Sequence, residues 1–310
     1  MSNMVNKLTI LLNSCDAYED IWNPFFSLFD IYAGELKKCK ILLNTESKSY
    51  FHNGLDIQTL GLFNGKEVSW GERLRQHLER VKTEYVLFLM EDFFLVNNVN
   101  NGVIKRIIEW MDADKEIGAF NLLPLDGITK GSSYPGFCLV EAGTPYRVNA
   151  QACIWRKEVL YKSILSSENP WIWEEYGRIR NDKLLISKIY CLDWKEEQPI
   201  NYNFYVYGKC NGIGRTYCHS GIIKGRWNME VVKKTFKKNG IAVNYKARGI
   251  YRQRIKERVK YSFFLVNIVK KPYKFFRKIL RIEPFNINET EEYKRNIQLY
   301  VTPYMDNEKF

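Results

Sequence analysis

No stretch of this 310-residue chain approaches the roughly 20 consecutive apolar residues that a membrane-crossing helix requires, so no span is expected. The apolar run Leu8–Leu12 is too short for a signal-peptide core, and no small-residue cleavage site follows it. Cysteine is sparse and unpatterned. Cys15, Cys39, Cys138, Cys153, Cys191, Cys210 and Cys218 are odd in number, scattered, and form no C-x-x-C pair. This argues against a cysteine-only zinc site and a disulfide framework, so a reducing, cytoplasmic compartment is expected. Internal repeats are absent, as are helix-turn-helix, zinc-finger and RNA-binding signatures. No full G-x-G-x-x-G occurs; Asn211-Gly212-Ile213-Gly214-Arg215 is a weak dinucleotide signal. A general excess of positive charge is missing too. The net charge of +12 resides between Lys246 and Arg281, where thirteen Lys/Arg meet one acid, Glu257; the rest of the chain is balanced.

What is present is an alternation of strands and helices. Leu8–Leu12 ends in Asn13-Ser14-Cys15-Asp16, Ile41–Leu43 ends in Asn44, and Tyr85–Met90 ends in Glu91-Asp92. Apolarity on consecutive positions suggests strands covered on both faces, as in a parallel sheet. Before the third strand, Ser69 and Glu72 fit a capping box, and Leu74, Leu78 and Val81 recur at helical spacing. The expectation is an α/β fold with a mostly parallel sheet flanked by helices. Further on, Ala119–Leu123 and Arg147–Trp155 read as strands, Asp126–Gly143 as a loop, and Lys157–Ser166 as a helix ended by Asn169-Pro170. Tyr202–Tyr207 reads as an aromatic strand. Composition shifts near residue 240, which divides the chain into a body, 1–240, and a basic helical region, 241–310.

Three places carry candidate chemistry. In open α/β sheets, ligands bind at the carboxyl ends of the strands. Asn13–Asp16, Asn44–Glu46 and above all Glu91-Asp92 lie there, the acids pinned between Met90 and Phe93-Phe94-Leu95. Adjacent carboxylates at such a position are costly unless solvated, paired or bound to a cation. The second place is Trp171-Ile172-Trp173-Glu174-Glu175-Tyr176-Gly177-Arg178, where indoles suit sugar faces and a carboxylate among aromatics shifts toward general-base range. Its bland counterpart is two core tryptophans beside a surface turn. The third is Cys218–Trp227, with His219, Lys224, Gly225 and Arg226, a basic glycine-containing loop suited to phosphates. His77 is expected to have a structural role in the Ser69 helix.

Taken in order, these pieces resemble GT-A-type nucleotide-sugar glycosyltransferases, in particular the bacterial family-2-like enzymes of surface polysaccharide assembly. The resemblance runs from Leu8–Asp16 through Ser69–Asp92, Gln151–Leu160 and Trp171–Arg178 to His219–Trp227, and covers roughly residues 5–230. It implies a GT-A-like, Rossmann-like fold. It further implies a donor site formed by Asn13, Ser14, Asp16, Arg73, Glu91, Asp92, Lys224 and Arg226, and an acceptor or sugar site formed by Gln151, Trp171, Trp173 and Arg178. Glu174 or Glu175 corresponds to the catalytic base. Asp92 and His219 correspond to ligands for Mn²⁺ or Mg²⁺, although Glu91-Asp92-Phe93 departs from the family's D-x-D. Lys224 and Arg226 offer an alternative to a metal.

The implied reaction moves a sugar from a nucleotide diphosphate to a hydroxyl of a saccharide or lipid-linked acceptor, with inversion. The basic segment, with Ile250, Tyr251, Ile255, Val259 and Phe263 among its cations, suits an anionic membrane interface. That places the protein at the inner face of the cell membrane. A nucleic-acid-binding protein and an idle membrane scaffold are the rival readings; no nucleic-acid partner is expected, because the balanced body would have no role in that case.

Overall fold

The computed structural model describes residues 3–63, 66–125, 129–185, 187–200, 204–210, 213–218, 220–252 and 291–302. Its centre is a nine-stranded sheet of β1 (Leu8–Asn13), β2 (Ile41–Asn44), β3 (Ile57–Thr59), β4 (Tyr85–Met90), β5 (Ile117–Asn121), β6 (Thr129–Gly131), β7 (Phe137–Val140), β8 (Cys153–Arg156) and β9 (Lys188–Leu192). Across the sheet the order is β3-β2-β1-β4-β8-β5-β9-β7-β6. From β3 to β4 all neighbours are parallel, and β5 is parallel to β9. The β4–β8, β5–β8, β6–β7 and β7–β9 pairs are antiparallel. The sheet is therefore mixed rather than mostly parallel. Continuous apolarity reports burial on two faces and carries no information about strand direction. β8, for instance, is antiparallel to both neighbours yet buried on both sides, through Ile154 on one and Cys153 and Trp155 on the other.

Helices α1 (Asn3–Lys7), α2 (Glu19–Tyr32), α3 (Trp70–Arg80), α4 (Asn101–Ala113) and α5 (Lys157–Ser163) flank the sheet. The strands divide their side chains between two cores. Leu8, Ile10, Leu12, Tyr85, Leu87 and Leu89 pack with α2 and α4 through Trp22, Phe26, Ile104 and Ile108. Leu11, Val86 and Phe88 pack with α3 and α5 through Leu74, Leu78 and Leu160. The start of α3 is as the sequence requires, with Ser69 Oγ accepting the Glu72 N–H at 3.2 Å. His77 is fully buried in α3, its Nδ1 2.8 Å from the Arg73 carbonyl, and burial pulls its pKa down to about 4.

The middle of the chain departs from the pattern-based expectations. Of the expected 147–155 strand only residues 153–155 are extended in the sheet, as part of β8, and β6 and β7 occupy part of the expected 126–143 loop. Asn169-Pro170 opens a helical stretch instead of closing one. Asn169 Oδ1 accepts the Ile172 N–H at 2.9 Å, and proline is tolerated in a first turn because its missing N–H is not needed there. The stretch continues as α6 (Pro170–Ile172), a wide π-type turn over Trp173–Gly177, α7 (Arg178–Arg180) and a second wide turn over Asn181–Leu185.

After the sheet come two hairpins, β10 (Phe204–Cys210) with β11 (Ile213–Cys218) and β12 (Ile222–Ile223) with β13 (Arg226–Trp227). They are followed by α8 (Met229–Lys238) and α9 (Tyr245–Arg248). Residues 241–252 fold onto this body. Trp227 N–H donates to Gly249 O and Tyr251 N–H to Trp227 O, both at 2.9 Å, and the Tyr245 ring meets that of Trp227 edge-on. A last helix, Glu291–Tyr300, packs through Tyr293, Ile297 and Tyr300 against Tyr176 and Ile179. No described helix is long and apolar enough to cross a membrane. Most of the basic segment, and the amphipathic helix expected there, lies outside the described residues.

Candidate functional site

The parallel register aligns the ends of three strands, with Asn13 of β1 opposite both Asn44 of β2 and Met90 of β4. β8 runs the other way, so its starting residue Cys153 lies opposite Phe88 and Asn121. The loop ahead of β8, which holds Asn149, Ala150 and Gln151, thereby reaches the same carboxyl edge as Glu91 and Asp92.

Glu91 and Asp92 form the centre of this edge. Glu91 is buried, and its Oε2 has no hydrogen-bond partner; the same holds for Asp92 Oδ1. Asp92 Oδ2 accepts from Ser220 Oγ, and the Asp92 carbonyl accepts the Gly221 N–H at 2.7 Å. Those two bonds draw the start of the β12–β13 hairpin over the acids. Gly221 is required at this contact, because a Cβ there would stand 2.2 Å from Phe94 Cε2. Burial, reinforced by the neighbouring Asp92 charge, raises the Glu91 carboxyl well above its usual range; burial pushes Asp92 up to about 6.

Two cations act on Glu91. Arg73 of α3 is buried, ion-pairs with Glu46 and lowers the Glu91 pKa through space. Arg248 of α9, half-buried, also lowers the Glu91 pKa through space. Its guanidinium lies 4.5 Å from the Tyr18 ring centre, ion-pairs with Asp20, and donates to the Ala17 carbonyl at 2.9 Å and the Gly225 carbonyl at 3.4 Å. Arg248 thus ties the β12–β13 hairpin to the 16–20 turn beside the acids. Sequence reasoning missed this role, because Arg248 sits within the basic segment assigned to a membrane; its separation from Arg252 by Gly249, Ile250 and Tyr251 was the one local signal. Lys224 and Arg226 are both exposed on this hairpin. Lys224 at φ +50° and Gly225 at φ +72° form its two-residue turn, as a type I′ connection requires.

The other expected donor residues are engaged within the protein. Asn13 is buried, accepting from Asn44 Nδ2 at 2.7 Å, and Ser14 Oγ accepts from the Trp22 indole at 2.8 Å. Asp16 staples the 46–48 turn by accepting the N–H groups of Glu46, Ser47 and Lys48 and the Ser47 hydroxyl; against the upward push of partial burial, the Ser47 hydroxyl first, then the Ser47 and Lys48 N–H groups, hold its carboxyl below its usual range.

At the acceptor end, Glu174 is half-buried. Its Oε1 accepts the Ala150 N–H at 2.8 Å, and burial raises its pKa. Glu175 points outward and is exposed. The two indoles of the motif differ completely. Trp173 is 0% exposed, ringed by Trp70, Phe88 and Trp155, with its Nε1 donating to Ser163 Oγ at 3.1 Å. It is a core residue with no face open to a ligand. Trp171 is 76% exposed. Gln151 lies between Ala150 and β8, its Oε1 buried without a hydrogen-bond partner. Arg178 Nη1 donates to the Gly143 carbonyl at 3.3 Å. His219 lies outside the described residues. Among the described residues no group of three or more His, Cys, Asp or Glu is placed to hold a metal ion. The two unpartnered carboxylate oxygens are nonetheless hard donors of the kind Mg²⁺ or Mn²⁺ takes.

No family model matches the chain, and no curated protein matches its sequence. Among solved structures, residues 1–349 of TarS from S. aureus are similar at a TM-score of 0.43 and 11% identity, over 94% of this chain and 77% of that one. Full-length S. aureus TarS gives 0.40 and 14% over 63% of this chain, which spans 36% of it. The mannosyltransferase PcManGT from Pyrobaculum calidifontis, in complex with GDP-Man and Mn²⁺, gives 0.40 and 9%, over 60% and 55% of the two chains. At TM-scores below 0.5, such likenesses assign no activity to this chain.

Proposed function

We propose that this chain is a glycosyltransferase that takes a sugar from a nucleotide-diphosphate donor and passes it, with inversion, to a hydroxyl of a saccharide or lipid-linked saccharide. The observation that carries the reading is the acid pair at the carboxyl edge, Glu91 buried and Asp92 half-buried, with one oxygen of each left unpartnered and a cationic hairpin folded over it. A second, separate carboxylate, Glu174, occupies the same edge. The motif order from Leu8 to Trp227 agrees with the GT-A-type resemblance.

On this reading the donor diphosphate lies against Asp92 and the β12–β13 hairpin. Glu91 and Asp92 are the residues that would hold Mg²⁺ or Mn²⁺, which when bound offsets phosphate charge; His219 is the third ligand the resemblance suggests. Lys224, Arg226 and Arg248 neutralise the negative charge that grows on the leaving nucleoside diphosphate, where a prearranged cation lowers the barrier most. Glu174 removes the proton of the acceptor hydroxyl. That oxygen bonds to the anomeric carbon as the bond to the diphosphate oxygen breaks on the opposite face. Burial suits Glu174 to the task, since a raised pKa makes it a stronger base than an exposed glutamate. The body, 1–240, carries the chemistry apart from the contribution of Arg248. The basic region 241–310 addresses it to an anionic membrane surface from the cytoplasmic side, its first residues serving also to seat Arg248.

Transfer from UDP- and GDP-sugars to a saccharide panel tests the reading. Glu174→Gln is expected to lower turnover by about 10²–10⁴-fold and leave donor binding nearly intact. Wild-type turnover in Glu174→Gln with loss in Glu175→Gln moves the base by one residue, and full activity in both removes the base assignment.

A further inference from the structure

Tyr146 holds a backbone conformation that its side chain disfavours. The Arg147 N–H donates to the Thr144 carbonyl at 3.2 Å, Pro145 takes the second position of this turn, and Tyr146 takes the third at φ +58°. Those are the marks of a type II turn, whose third position normally needs glycine or asparagine. Core packing does not explain the tyrosine, because it is 62% exposed.

The turn is fixed from both sides. Buried Arg147 donates to the Val140 carbonyl at 3.1 Å, to Asn181 Oδ1 at 2.6 Å, to Asp182 Oδ1 at 2.7 Å and to the Ser187 carbonyl at 2.7 Å. Asn149 Nδ2 donates to the Tyr146 carbonyl at 2.8 Å. Strain of this kind persists only where the surroundings over-determine it, and it concentrates at binding and catalytic sites.

What the turn presents is an aromatic ring on the loop that borders Glu174. Residues 143–151 run alongside the 170–182 helical stretch, joined to it by Arg178 at Gly143, Asp182 at Gly143 and Glu174 at Ala150. The loop ends at Gln151, with its buried, unpartnered Oε1. Glu174 offers a hydrogen-bond acceptor, so a ligand seated here has to bring donors. The Glu174 carboxylate also repels phosphate. A sugar ring fits both demands, with hydroxyls to donate and an apolar C–H face to lie on the electron-rich ring face.

We propose that Tyr146 is a saccharide-binding residue, its exposed ring a platform for one sugar on the loop that borders Glu174. That this sugar is the acceptor substrate rests on the transferase reading above. The platform itself does not.

The test measures the full chain on an array of mono- to tetrasaccharides, with UDP or GDP present, and follows thermal unfolding of the same proteins. Tyr146→Gly is expected to raise the melting temperature by about 2 °C, because glycine takes a positive φ without strain. The same substitution is expected to weaken saccharide binding about tenfold, while Tyr146→Phe retains it. A purely structural tyrosine predicts the reverse, a lower melting temperature with saccharide binding unchanged, and that result overturns the proposal. So does a wild-type protein that binds no saccharide on the array. Saccharide binding lost in Tyr146→Gly, in a protein that no nucleotide or nucleotide-sugar stabilises, supports the platform and removes the transferase reading. Nucleotide binding with equal saccharide binding by wild type and Tyr146→Gly does the opposite.

Discussion

Two buried carboxylate sites in this protein have opposite characters. Glu168 accepts the Leu165 N–H at 2.8 Å, and Arg180 donates to both its oxygens, at 2.7 and 2.8 Å. Arg180 also donates to the carbonyls of Ser163 and Tyr300, each at 2.7 Å, and so ties the last helix to the 170–185 stretch. Glu91 is also buried and Asp92 half-buried, but each keeps a buried oxygen without a hydrogen-bond partner. Burial raises the carboxyl pKa at both sites; Arg180 opposes it at Glu168, whereas at Glu91 the adjacent acid adds to it. Burial alone, then, does not mark chemistry. A closed set of partners marks structure, and an open set at a strand's carboxyl end marks a place for a ligand.

The largest expected effect comes from opening the closed site. Arg180→Met strands the Glu168 charge in the interior and should cost about 3–5 kcal/mol in urea unfolding, with much of it recovered by adding Glu168→Gln. A loss below about 1 kcal/mol would mean that Glu168 is as tolerant of isolation as the acid pair, and the contrast would collapse. Gly221→Ala follows, at about 1–3 kcal/mol, since its Cβ overlaps Phe94 and displaces the N–H bonded to Asp92. Wild-type stability in that variant would show that the hairpin is not held tightly over the acids.

Glu91→Gln has the opposite sign. It removes an uncompensated acid and should raise stability at pH 7.5 by roughly 1–2 kcal/mol, although the glutamate is buried. The pH dependence follows from the raised pKa values. The folded protein holds protons on the pair that the unfolded chain releases near the ordinary carboxyl range. The pair's contribution is therefore intact below that range and is lost as pH rises through about 6 and beyond. His77 slopes the other way, its contribution intact above its ordinary value of 6.5 and lost as pH falls toward about 4. The variant-minus-wild-type difference isolates the acids, and a flat difference between pH 4 and 7.5 would contradict their raised values.

The sequence made the site's location legible more readily than its partners. β1, β2 and β4, the Ser69 cap and the position of Glu91-Asp92 follow from local apolarity and capping, which are properties of consecutive residues. The antiparallel insertion of β8 between β4 and β5 does not, because strand order is decided by long-range packing. In Trp171-Ile172-Trp173 both indoles suited a sugar on composition; only the packing of Trp70, Phe88 and Trp155 identifies Trp173 as core. Ser14 and Asp16 sit at the expected strand end, yet Trp22 and the 46–48 turn occupy them, and those contacts depend on helix placement. Arg248 was hidden by its neighbours, since charge density drew attention to the segment rather than to one residue. Tyr146 fell between the expected 126–143 loop and 147–155 strand, and a positive φ at a tyrosine is a backbone property that residue type does not announce.

The claim that the Glu91-Asp92 edge receives a nucleotide diphosphate is tested most directly by thermal unfolding at pH 7.5. Wild type and Asp92→Asn are compared across UDP, GDP and their sugar conjugates, with and without Mn²⁺. A nucleotide present at about 100 times its dissociation constant stabilises the folded state by about 2.7 kcal/mol. A shift of that order in wild type, lost in Asp92→Asn while the unliganded variant melts no lower, is the predicted result. Stabilisation that is equal in wild type and Asp92→Asn, or absent from both for every nucleotide tried, would contradict it.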